Sequence, residues 1–178
     1  DNRVNMSALR DLVDHLIEQG VDGLYLCGST GEGLMMSLEE RRTVTAEVMK
    51  QVAGRVPVIV HVGATALVDA ITLSRHSREV GAQAISSIIP PKFDDMDSIV
   101  RYYGALAQAT PGFPLISYLL NPSVDARALV RALLQYDELV GVKYTGANMN
   151  EFQQIVQLGD GRDWTVFSGM DEQSIYGN

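Results

Sequence analysis

The chain has 178 residues, 46% of them hydrophobic, which is enough for one domain with a sizeable core. Its formal net charge of -8 and pI near 4.8 argue against nucleic acid or an anionic membrane surface as partner. No apolar stretch approaches the roughly 20 residues that span a bilayer, no signal peptide opens the chain, and the single cysteine, Cys27, excludes an internal disulfide framework; the expectation is a cytoplasmic globular protein.

In chain order, Leu9, Leu12, Val13, Leu16 and Ile17 recur at helical spacing, with Gly20 as a stop. A strand follows over 23–27 and runs into the glycine-rich loop GSTGEG at 28–33. Ser37 and Glu40 form a capping-box signature that opens a helix toward Gly54. Beyond it, strands are expected over 56–62, 84–89, 114–119, 140–144 and 164–168. Helices are expected between them over 66–80, 96–109 and 124–135, and from Asn148, where Glu151 makes a weaker box. Each strand is a short apolar run bounded by Gly, Pro or Asp, the pattern of a strand buried on both faces of a parallel sheet.

Strand starts recur about every 25 to 34 residues, the rhythm of repeated βα units. A (β/α)8 barrel and an open doubly wound sheet both produce it, and periodicity does not choose between them. In either architecture function gathers at the carboxyl ends of the strands. Here those ends carry Ser29-Thr30, His61, Pro90-Pro91, Tyr118, Lys143-Tyr144-Thr145 and Gly169-Met170-Asp171-Glu172.

The loop GSTGEG has neither the Lys-Ser/Thr pair of a Walker loop nor the G-x-G-x-x-G order of a dinucleotide fingerprint. Its glycines permit close backbone approach, and Ser29 and Thr30 add hydroxyl donors, so a compact anion such as a carboxylate suits it. An open-sheet phosphate binder is the weakest alternative. Of the three lysines, Lys50 lies in a helical pattern and Lys92 in a Pro-rich loop, where solvation is easy. Lys143 lies inside GVKYT, a strand expected to be buried. There an amine is either ion-paired or shifted toward the neutral form that attacks a carbonyl to make a Schiff base. Tyr118, at the end of the preceding strand, is a candidate proton relay, although a strand tyrosine is more often a packing residue. His15 and His76 read as solvated helix positions, His61 as a satisfied core histidine, and none has a second ligand at metal-binding spacing. Neither metal nor cofactor is expected.

These residues together resemble a known group. GSTGE, the strand and loop IVHVGA, a tyrosine-bearing strand, GVKYT and the closing GMDE stand in the order seen in the dihydrodipicolinate synthase/N-acetylneuraminate lyase superfamily of class I, Schiff-base aldolases. The resemblance covers essentially the whole chain. It implies a (β/α)8 TIM barrel, usually homotetrameric, of which 1–178 would be a single barrel domain, incomplete at both ends and covering roughly strands 2 to 6. It implies that Lys143 forms an imine with pyruvate, that Ser29 and Thr30 hold the pyruvate carboxylate, and that Tyr118 relays protons. Thr145, Gly169, Asp171 and Glu172 match positions that contact the sugar chain in the sialic acid lyases. The serine of GSTGE likewise resembles the lyases, where synthases usually carry a second threonine. The implied reaction is cleavage of N-acetylneuraminate to N-acetylmannosamine and pyruvate. The alternatives are a related 2-keto acid aldolase or dehydratase, a dihydrodipicolinate synthase-like enzyme, or a non-catalytic barrel fragment. The tyrosine motif is one residue longer than usual, and a one-residue slip in strand pairing would turn Tyr118 to the opposite face.

Overall fold

Six strands alternate with six helices in a computed structural model that describes residues 4–91 and 93–172. Lys92 lies outside the described residues. The chain divides into two compact units, Asp1–Ile85 and Ser86–Asn178, and the strand β3 (Ala84–Ile88) runs through the boundary.

In the first unit the order is α1 (Met6–Glu18), β1 (Leu24–Leu26), a short 3-10 turn (Gly33–Met35), α2 (Leu38–Val52), β2 (Val58–His61) and α3 (Leu67–Glu79). Asn5 caps α1 by accepting from the Ala8 amide at 3.1 Å. Only Val13 of the α1 apolar stripe is buried, whereas Leu12 is 52% exposed, so that stripe makes a helix without making a core. The capping box of α2 is complete: Ser37 Oγ accepts from the Glu40 amide at 3.2 Å, and the Glu40 carboxylate accepts from the Ser37 amide at 2.8 Å. This helix turns Arg41, Val44, Thr45, Val48 and Val52 inward, at the spacing of one helical face. Asp14 of α1 accepts from Gln51 and Arg55, each at 2.6 Å, tying α1 to the end of α2. β1 and β2 pair in parallel, Leu24 opposite Val58 and Leu26 opposite Val60.

The second unit continues from β3 with α4 (Met96–Ala109), β4 (Leu115–Leu120), α5 (Ala126–Leu133), β5 (Leu139–Thr145), α6 (Met149–Gln157) and β6 (Thr165–Ser168). Asp95, Asp125 and Asn148 cap the three helices, accepting from the amides of Ser98, Ala128 and Glu151 at 2.9, 2.6 and 3.1 Å. β4 pairs with β5 and β5 with β6, both in parallel. The first five residues of β4 are all buried, as a strand covered on both faces requires. Ile99, Leu106, Leu119, Leu129, Leu133 and Ile155 fill this unit's core at 0% exposure, so its helices are held by apolar faces rather than by propensity.

One irregularity decides how side chains at the β4 and β5 ends align. Leu115 lies opposite Leu139, yet Ile116 lies opposite Gly141, so Val140 is passed over. Such a bulge advances the rest of one strand by a residue. Gly141 is required just beyond it, because a Cβ there would collide with the Thr165 carbonyl oxygen of β6. Among the described residues no helix is long and apolar enough to cross a membrane.

Candidate active site

In the second unit, the shifted register sets Tyr118 of β4 directly opposite Lys143 of β5. Residues paired across neighbouring strands project to the same face, and Lys143 Nζ lies 4.4 Å from the centroid of the Tyr118 ring. Tyr118 is 4% exposed. Lys143 is half-buried rather than fully enclosed, which corrects the expectation drawn from GVKYT: in β5, Gly141, Val142 and Tyr144 are buried, while Lys143 and Thr145 keep partial access. Partial access leaves the Lys143 amine within reach of a small molecule from solvent.

Thr145 and Gly169 meet at the same end. The Gly169 amide donates to the Tyr144 carbonyl at 2.8 Å, drawing the residue after β6 against β5. A Cβ on Gly169 would collide with Thr145 Oγ1 and stand 3.2 Å from Lys143 Cε, so only glycine leaves room for both side chains. Thr145 Oγ1 is buried and, among the described residues, has no hydrogen-bond partner. A buried unsatisfied hydroxyl costs about 1–3 kcal/mol. Thr145→Val is therefore expected to leave thermal stability unchanged or slightly raised while lowering turnover, and paired melting and rate measurements check it. A clear loss of stability with unchanged turnover would show the hydroxyl to be structural.

Asp171 and Glu172 are exposed at the end of the described residues, after a turn in which the Met170 amide donates to Ser168 Oγ at 3.3 Å. Among the described residues neither carboxylate makes a hydrogen bond or ion pair. Both residues lie in a 3-10 turn, and the residues that follow are outside the described ones.

Tyr144, beside the lysine but on the other face of β5, has a partner that sequence reasoning missed. Its hydroxyl donates to Glu151 Oε2 at 2.5 Å. The Glu151 side chain is thus engaged by Tyr144, while Asn148 still caps the helix. Burial first, and then the Glu151 carboxylate, push the Tyr144 phenol up to about 12 from a usual value of 10.0. A phenol whose pKa is higher folded than unfolded keeps its proton longer in the folded state. Its contribution is complete below about pH 10 and is lost as pH climbs toward about 12. The wild-type melting temperature is expected to fall more steeply across that window than that of Tyr144→Phe. Parallel profiles would refute the linkage.

In the first unit, the loop after β1 is bracketed by two non-glycine residues in the left-handed region, Cys27 at φ 55 and Glu32 at φ 52. The Gly33 amide donates to the Gly28 carbonyl and the Glu32 amide to the Ser29 carbonyl, each at 3.1 Å, closing a tight bend. A Cβ on Gly33 would collide with the Cys27 carbonyl oxygen, which fixes that glycine. Ser29 and Thr30 stand at the exposed tip, and among the described residues neither hydroxyl has a hydrogen-bond partner. Both are available to a ligand.

Beneath the loop, Cys27 and His61 are buried as expected. A carbonyl oxygen can only accept, so the 3.0 Å contact from His61 Nδ1 to Cys27 O places the proton on Nδ1. Burial pushes the Cys27 thiol up, opposed by Arg41 and Thr45 beside it. Arg41, 4% exposed, donates to the carbonyls of Gly63 at 2.8 Å and His61 at 2.5 Å. Sequence analysis does not single out this arginine, although its spacing to Val44, Val48 and Val52 marks the inward face. His15 is exposed as expected. His76 is not solvated: it is half-buried, with Nε2 at 3.0 Å from the Arg42 carbonyl. Among the described residues no group of three or more His, Cys, Asp or Glu side chains is placed to hold a metal.

A profile of the dihydrodipicolinate synthetase family matches residues 1–176. The chain is 33% identical over 178 residues to 4-hydroxy-tetrahydrodipicolinate synthase of Thermus thermophilus, covering 97% of this chain and 59% of that protein. It is equally 33% identical over 180 residues to N-acetylneuraminate lyase of Rhizobium meliloti, covering 99% and 59%. Among solved structures, Proteus mirabilis N-acetylneuraminate lyase matches with a TM-score of 0.92 at 30% identity, over 98% of this chain and 61% of that one. The chain thus spans about 59% of the length of the curated relatives it matches.

Proposed function

The chain belongs to the dihydrodipicolinate synthetase family, and from that premise we propose that it provides the imine-forming part of a pyruvate-dependent class I aldolase that cleaves N-acetylneuraminate. The observation that carries the reading is the pairing of Tyr118 with Lys143, with the amine 4.4 Å from the ring centroid. A half-buried amine beside a buried phenol is what nucleophilic attack on a ketone and a nearby proton transfer require.

In the proposed sequence, the neutral Lys143 amine adds to C2 of the open-chain sugar acid, and loss of water gives a protonated imine. Tyr118, having given its phenol proton to the departing water, accepts the C4 hydroxyl proton as the C3–C4 bond breaks, and the electron pair of that bond flows into the imine to form an enamine. N-acetylmannosamine leaves as the aldehyde. Protonation of the enamine at C3 and hydrolysis of the imine release pyruvate and restore the amine. Ser29 and Thr30 hold the carboxylate, while Thr145, Gly169, Asp171 and Glu172 meet the polyol tail, whose hydroxyls donate well to carboxylates. The setting proposed is a cytoplasmic homotetramer, with 1–178 as part of a single barrel domain.

A dihydrodipicolinate synthase-type reaction is the second reading, favoured by the equal identity to a synthase and a lyase. Both readings share the imine. Borohydride reduction in the presence of pyruvate, followed by peptide mapping, is expected to find reduced pyruvate on Lys143. N-acetylneuraminate cleavage without aspartate semialdehyde condensation then favours the lyase, and the reverse favours the synthase. No adduct on a folded sample would overturn both.

A further inference from the structure

We infer that Arg41 and His61 are positioning residues for the loop 28–33, holding Ser29 and Thr30 in the geometry that takes a substrate carboxylate. The inference rests on the functional reading above and adds to it two residues whose side chains lie beneath the loop.

Three observations carry it. First, the loop is held in a conformation that its residues do not favour. Cys27 and Glu32 both lie in the left-handed region, at φ 55 and φ 52, and neither is glycine. Such residues persist only where the surroundings over-determine them, and they concentrate at ligand clamps. Second, the surroundings of Cys27 are identifiable. His61, 1% exposed, donates from Nδ1 to the Cys27 carbonyl at 3.0 Å, so the peptide that opens the loop is held from below. Third, the support is itself supported. The planar Arg41 fork reaches the carbonyls of both His61 and Gly63, fixing the end of β2 from which the imidazole projects. A buried guanidinium spanning two main-chain carbonyls is costly to place and sets geometry well, because its donors are rigid relative to one another. The order of support therefore runs from helix α2 through Arg41 to the β2 end, through His61 to Cys27, and so to Ser29 and Thr30.

Lysine cannot reproduce the fork, so Arg41→Lys keeps the charge and loses one of the two carbonyl contacts. His61→Leu removes the donor to Cys27, whereas His61→Asn retains a side-chain N–H near the Nδ1 position. Two readouts are taken on each folded variant: amide hydrogen exchange of residues 28–33, and the pyruvate concentration that half-saturates imine trapping. Arg41→Lys and His61→Leu are expected to speed loop exchange and raise the half-saturating concentration, each by about tenfold, with the limiting trapping rate within about twofold of wild type. His61→Asn is expected to recover most of both effects. A merely structural role would accelerate exchange throughout β2 and α2 and leave the half-saturating concentration alone.

Unchanged loop exchange in folded Arg41→Lys and His61→Leu overturns the inference, as does a fall in the limiting rate without a change in half-saturation. If Arg41→Lys does not fold, the His61 pair decides the matter. If wild-type protein forms no imine, the functional reading fails separately, and the exchange measurements still decide whether Arg41 and His61 hold the loop.

Discussion

Lys143→Arg is expected to abolish the borohydride-trapped pyruvate adduct and to lower turnover by at least about a thousandfold, the scale on which removal of a covalent nucleophile is felt. Arginine is the informative replacement because it preserves charge and length, and it can still lie against the Tyr118 ring that Lys143 Nζ faces at 4.4 Å. Its guanidinium stays protonated and cannot attack a carbonyl. Half-buried Lys143 is not a core-filling side chain, so the melting temperature is expected to shift little. Intact mass after reduction and a thermal melt test the two halves together. An adduct surviving in Lys143→Arg would place the reactive amine elsewhere and remove the basis for Tyr118 as its relay.

Gly169→Ala is expected to lower turnover by one to two orders of magnitude with the fold retained, a loss typical of a reacting group displaced by about an ångström. The backbone has no part in this effect, because Gly169 is not among the glycines at positive φ. The cause is steric: the new methyl group collides with Thr145 Oγ1 and stands 3.2 Å from Lys143 Cε. Thr145 can yield by changing rotamer, which moves its hydroxyl but leaves the strand in place. Removing that hydroxyl first should therefore remove most of the penalty. In a double-mutant cycle, Gly169→Ala is expected to cost little further activity in a Thr145→Ala background. Additive losses would show that Gly169 acts independently of Thr145.

The strands and helices were legible because each carries its own local signal. Expected and observed bounds differ by one or two residues at most ends, and α4 spans 96–109 in both. The complete box at Ser37 and the cap at Asn148 formed where the sequence placed them, since a side chain three residues from its amide partner needs no tertiary information. The proximity of Tyr118 and Lys143 was legible only as an expectation, because it depends on strand register. What was not legible depends on packing across elements. Arg41 is buried because two main-chain carbonyls wait for it, and nothing in EERR marks which arginine they take except helical phase. His76 reaches a carbonyl of another helix, which no spacing within its own helix reveals. The positive φ at Cys27 has no sequence cue at all, since cysteine is not a residue that favours it. The apolar run GVKYT suggests uniform burial for Lys143, whereas the strand alternates between buried and partly accessible positions near its end.

The residue passed over at Val140 bears on where β5 can absorb an added or lost residue. A single inserted or deleted residue inside a strand normally inverts every side chain beyond it, which at a catalytic edge is as damaging as losing the nucleophile. Here the odd residue sits near the start of β5, and pairing resumes at Gly141 before any reactive group is reached. The extra residue at that point leaves the mutual phase of Tyr118 and Lys143 intact. Tolerance of this kind belongs to the part of the strand before the lysine, and the same event three residues later would fall on Lys143 itself.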